Sequence, residues 1–190
     1  MTVPPELTAR SERASEIVAA ARLILEKEGV AALTMRRLAA EVGIQAPSLY
    51  KHFPTKRAVE AALVEAGMLE MGEALHAAIA APGRAGPVRA LLGAYRRAAL
   101  DNPALYRLAT TGALPRAYLA PGLEEWAGEP FFLATGDPWR AQALFSFAHG
   151  MVILELDDRF PEGSDLDRTW RAGAAAFTTQ KPAATSPRRR

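Results

Sequence analysis

From Ser11 to Glu28 apolar residues return at Ile17, Ala21, Ile24 and Leu25, the 3.6-residue spacing of an amphipathic helix, and Gly29 stands where a C-terminal cap belongs. A second, shorter pattern runs through Met35, Leu38, Ala39 and Val42. Thr34 ahead of it offers a side-chain oxygen to the first free amides, and Gly43 ends it because glycine accepts a left-handed backbone. Only Ile44 and Gln45 separate this helix from the next, which is expected from about Ala46 to His52, with Pro47 in its first turn and Pro54 stopping it. Thr55 is placed to cap a long helix that carries Leu63, Leu69 and Leu75 to about Ala80.

Pro82, Gly83, Gly86 and Pro87 break the pattern and mark a hinge or domain boundary. Beyond it a helix is expected from Val88 to about Leu100, and Asn102-Pro103 restarts another. The stretch from Gly112 to Gly136 is punctuated by proline and glycine and reads as soft, with weak boundaries. Asp137-Pro138, an acidic cap followed by proline at the first helical position, opens a helix through Phe145, Val152 and Leu156 to about Arg159. Ser164 with Asp167 resembles a capping box for a last helix that runs to about Thr178. The tail from Gln180 has the composition of a disordered segment, and its Arg188, Arg189 and Arg190 read as a solubilising end rather than a DNA-attracting arm. No strand pattern and no internal repeat occurs. The chain is therefore expected to be all-α: a three-helix unit over 11–58, joined by the long helix to a larger helical domain over 59–179, with 180–190 as tail.

Composition narrows this further. A chain of 190 residues with 49% hydrophobic positions can bury a real core, and with no cysteine that core rests on apolar packing, without disulfides or thiolate-bound metal. No apolar run is long enough for a bilayer, and Met1 to Arg13 lacks the apolar stretch of a secretory signal, so a cytoplasmic location is expected. The net charge is +2, and residues 1–60 hold nine Lys/Arg against seven Asp/Glu. That balance permits nucleic-acid binding without arguing for it.

Leu33 to Val59, LTMRRLAAEVGIQAPSLYKHFPTKRAV, carries the pattern that points to DNA. A helix that reads bases must be short, polar on one side and held nearly at right angles to a partner, so that its first turn enters the major groove. Leu38, Ala39, Val42, Ile44, Leu49 and Phe53 are spaced to form the small core that fixes both short helices to the first. Arg36, Arg37, Gln45, Ser48, Tyr50, Lys51, His52 and Lys56 are left pointing outward. Arg, Lys, Ser and Tyr suit phosphates, whereas Gln and Arg can make paired bonds to adenine and guanine edges.

This segment, over roughly residues 11 to 60, resembles the helix-turn-helix of the TetR family of bacterial regulators. Thr34, Leu38-Ala39, Val42-Gly43, the Leu49-Tyr50-x-His52-Phe53 block and Lys56 carry the resemblance. It implies that Thr34, Tyr50, His52 and Lys56 contact phosphates, that Arg36, Gln45, Ala46 and Ser48 lie near bases, and that Pro47 and Lys51 belong to the same surface. Gln45 departs from the family, many of whose members carry Ser or Thr there as a cap. The segment Phe147-Ala148-His149-Gly150-Met151-Val152 with Leu154-Glu155-Leu156 resembles the WHG-type regulatory domain of the same family.

The resemblance implies a repressor that leaves a palindromic double-stranded DNA operator when a small-molecule effector binds. A single short recognition helix buries too little to select one site, so a homodimer is implied, with the last two helices as its interface. Tyr95, Tyr106, Trp126, Phe145 and His149 are the candidate effector contacts, although aromatic residues are more often plain core. Glu73-x-x-His76 has a di-iron spacing but only one copy, and it reads as solvated helix surface; the acidic run Glu155, Asp157, Asp158 reads the same way. No catalytic residue, metal ligand or cofactor is expected, since no nucleophile elbow or phosphate loop occurs. An all-helical enzyme or metal-binding bundle, and an architectural DNA-binding protein on the same fold, remain the rival readings.

Overall fold

Helices begin where a side-chain oxygen can replace the missing partner of a first-turn amide. In the computed structural model, which describes residues 3–7 and 9–178, Ser11 caps α1 (Glu12–Glu28), Thr34 caps α2 (Met35–Glu41) and Thr55 caps α4 (Lys56–Ala80). Between the last two lies α3 (Ala46–Tyr50), shorter than the expected span because residues 51 and 52 close into a turn before Phe53. Gly43 stands at φ 66° in the link between α2 and α3, a conformation that a side chain would strain.

A single 3₁₀ turn at Gly83–Ala85 precedes α5 (Pro87–Asp101), and α6 (Pro103–Thr110) follows. The stretch that read as soft contains α7 (Leu123–Thr135), with Pro130 inside it. Proline there removes the amide that would serve the carbonyl of Trp126, and His76 repairs the loss: its Nε2 donates to that same carbonyl at 2.9 Å. A tertiary contact therefore sustains a helix that local sequence signals argue against. His76 is accordingly buried, stacked on the Trp126 ring at 4.7 Å, while Glu73 is exposed. The expectation of a solvated surface at His76 is corrected for that reason.

Asp137 caps α8 (Pro138–Leu156) as expected. The last helix, α9 (Leu166–Phe177), is capped by Asp165, whose side chain accepts from the Arg168 amide, while the Ser164 hydroxyl donates to the carbonyl of Pro161. The expected capping box at Ser164 and Asp167 is thus replaced by a single cap one residue later, because the Asp165 carboxylate occupies the helix start and the Ser164 hydroxyl is engaged by the Pro161 carbonyl. Glu155 also departs from its expected role as surface. It is largely buried, takes Arg96 through bonds of 2.6 to 3.1 Å, and accepts from the Trp170 indole at 3.2 Å. That network fastens α5, α8 and α9 together. Asp157 pairs with Arg107 at the surface. The residues from Gln180 onward, including the arginine run, lie outside the described residues.

Two main apolar cores result. The first gathers Ile17, Ile24, Leu25, Leu38, Leu49 and Phe53 with Val59, Leu63 and Leu105; the second is built on Leu91, Tyr95, Leu144, Val152 and Trp170. Helix α4 lends Val59, Ala62 and Leu63 to the first core and Leu75 to the second, so it spans both. Among the described residues no helix is long and apolar enough to cross a membrane.

Candidate nucleic-acid interface

The turn after α2 is held by side chains from α1. Arg13 donates to the Val42 carbonyl at 2.7 Å, satisfying a group that the end of α2 leaves free. Arg37 is paired with Glu28 and Glu41, which ties α2 back to α1 and raises its pKa above the ordinary arginine value, first through its bond to Glu28. The Arg37–Glu41 pair follows the i,i+4 spacing of a helix, whereas the Arg13–Val42 and Arg37–Glu28 tethers are not visible in the spacing, because each depends on a partner brought close by folding.

With Leu38, Ala39, Leu49 and Phe53 buried, the polar residues of the segment face outward. Thr34, Arg36, Gln45, Pro47, Tyr50, Lys51 and His52 are exposed, and Ala46, Ser48 and Lys56 are half-buried. The Tyr50 ring is 48% exposed, so it is not a core residue. Thr34 Oγ accepts the Arg37 amide at 3.1 Å, which leaves its own proton for an outside acceptor. Lys56 sits at the start of α4, its ammonium 3.3 Å from Glu60 and 3.4 Å from the Val30 carbonyl. A cation at a helix N-terminus adds to the positive end of the helix dipole, an arrangement suited to a phosphate. Gln45 makes no capping bond to α3.

The candidate effector residues divide. Tyr95 on α5, Tyr106 on α6 and His149 on α8 form a chain: the two hydroxyls are 2.9 Å apart, and the Tyr106 hydroxyl is 2.8 Å from Nδ1 of His149. Phe145 stacks on His149 and meets Tyr95 edge-on, with Phe131 completing the group. Burial pushes both phenols up, Tyr106 to about 12, and pushes the imidazole of His149 down from its ordinary 6.5. A neutral ring accepting from Tyr106 at Nδ1 keeps its proton on Nε2, as a donor. Phe145 is 45% exposed, so the cluster reaches the surface along α8. Trp126 is not part of this group. It packs with Ala120 and Leu123, and with Val3, Pro5, Glu125 and Phe132 it lines an open groove of about 510 Å³. Among the described residues no cluster of His, Cys, Asp or Glu could hold a metal ion.

A three-helix unit with a glycine-turned pair of short helices and an exposed polar third helix defines the helix-turn-helix class. The sequence model described as bacterial regulatory proteins, tetR family, matches residues 17–63. The tetracycline repressor protein class A from transposon 1721 of Escherichia coli is 46% identical over 54 residues; the match spans 28% of this chain and 25% of that protein. The chain therefore aligns with about a quarter of this curated relative. Two solved structures extend the likeness in fold. The multidrug binding protein EbrR complexed with ethidium has a TM-score of 0.67 at 25% identity, covering 89% of this chain and 100% of that one. A transcriptional regulator of the TetR/AcrR family from Thermobifida fusca has a TM-score of 0.61 at 22% identity, covering 88% and 97%.

Proposed function

We propose that the chain is a cytoplasmic, dimeric transcriptional repressor that grips a palindromic operator and is released by a small planar ligand. The observation that carries this reading is the buried seat of Leu38, Ala39, Leu49 and Phe53, which turns the polar side chains of α2 and α3 outward. Thr34, Tyr50, Lys51, His52 and Lys56 hold phosphates, while Arg36, Gln45, Ala46, Pro47 and Ser48 approach base edges, Gln45 by its amide. Two copies are required, since one short helix selects too few base pairs. Their contact is α8 with α9, whose outer surfaces expose Trp139 and Leu154 on the one and Ala172, Ala175 and Ala176 on the other. The small alanines allow close helix approach.

The ligand site is the Tyr95, Tyr106, Phe145 and His149 cluster, which offers ring faces to stack on and the Nε2 proton of His149 to donate. Ethidium, the molecule bound by EbrR, is planar and aromatic, a class that such faces suit. Selection of duplexes from a random pool by the full-length protein tests the reading: two related half-sites in inverted repeat are expected. Recovery of unrelated sequences in proportion to the pool would instead make the chain an architectural binder.

A further inference from the structure

Resting on the reading of the Tyr95, Tyr106 and His149 cluster as the sensing site, we propose that Glu26 is a positioning residue that latches α1 of the DNA reader to α6. This gives the sensing core a route to the reader that bypasses α4.

The eight residues of α6 serve both cores at once. Leu105 is buried in the first core, whereas its neighbour Tyr106 is buried in the second and bonds His149 and Tyr95. Consecutive residues on a helix face different directions, so one rigid turn is gripped from two sides. The start of α6 lacks a cap of its own, since Pro103 has no amide proton and Asn102 makes no capping bond. Glu26 on α1 replaces it. Its two carboxylate oxygens accept from the amides of Ala104 at 3.3 Å and Leu105 at 2.9 Å, placing a negative charge against the positive end of the helix. One turn earlier on α1, Arg22 donates to Asn102 Oδ1 at 2.9 Å and also pairs with Glu70 of α4.

A solvent-open surface cleft, lined in part by Val18, Arg22, Leu63 and Leu105, lies between α1, α4 and α6, while inside the junction Leu105 packs closely on Gly67 of α4. A tilt begun at Tyr106 pulls on the adjacent Leu105 amide, and through Glu26 on α1. Helix α1 in turn holds the exit of α2 through Arg13.

Hydrogen–deuterium exchange on the full-length protein, without DNA or ligand, tests this. Tyr106→Phe removes the hydroxyl that joins α6 to the core. With Glu26 in place, the substitution is expected to speed exchange in residues 22–28 and 35–50 by roughly fivefold or more, the scale of an ordinary coupling between sites. In a Glu26→Ala background the same substitution should speed exchange in α6 alone. Should the alanine variant unfold, as circular dichroism would show, Glu26→Gln, which keeps one acceptor and loses the charge, is expected to reduce the response of α1 without abolishing it. An equal response of α1 with and without Glu26, or no response with it, overturns the latch. Failure to select any duplex would sink the repressor reading and leave this measurement intact.

Discussion

His149 shows how a half-buried side chain becomes a testable switch. Burial disfavours its charged form, so the unfolded imidazole, near the ordinary 6.5, takes a proton before the folded one does. Stability is then fully present above that value and falls as pH drops through it toward the lower folded value. Urea unfolding between pH 8 and 5 should therefore show a steeper loss for the natural protein than for His149→Gln; coincident curves would mean that the ring titrates freely. The difference between the two curves separates this ring from His52 and His76. At this scale much was legible in the sequence. Gln45, Tyr50, Lys51 and His52 were expected outside, and the structure exposes them. Glu26, Arg13 and Glu65 gave no such signal. Glu65, at 3% exposure, pairs with Arg10 and accepts from the Ala120 amide at 2.9 Å, partners 55 residues away in either direction. A carboxylate in a helical run looks like any solvated residue until the fold surrounds it.

Elements were readable where caps and periodicity agreed, and were lost where a distant partner decided. The caps of α2, α4 and α8 follow directly from Thr34, Thr55 and Asp137, and α1 begins at the expected Ser11, which caps it. Helix α7 could not be read this way, because its internal Pro130 is tolerated only through His76 and its Trp126 packs against Gly72, where a Cβ would lie 2.3 Å from the ring. Helix α3 carries a different compromise. Its start lacks a side-chain cap, since Gln45 is too long to reach back to its own helix amides. Gln45→Ser should raise stability by about 0.5–1 kcal/mol, measured by urea titration, while changing which bases are preferred. Unchanged stability would show that the start of α3 is already satisfied, and unchanged preference would remove Gln45 from base reading.

At the scale of the whole molecule, two cores share one long helix, and α6 gives them a second connection. Helix α4 carries Lys56 at its reader end and Leu75 in the larger core, while Leu105 and Tyr106 divide between the cores at α6. The boundary expected after residue 58 falls inside α4, and the first core draws in Val59, Leu63 and Leu105 from beyond it. Periodicity shows that a position is buried but not against which partner, so this sharing was not readable. The most direct test is titration of a selected duplex with the full-length protein across a range of salt, beside Lys56→Ala. The logarithm of the affinity should fall linearly with log salt concentration at about −0.9 per phosphate contacted, and Lys56→Ala should weaken all sequences alike while reducing the slope by about 1. An affinity indifferent to salt, or a slope that Lys56→Ala leaves unchanged, would contradict a reader seated on α2, α3 and the start of α4.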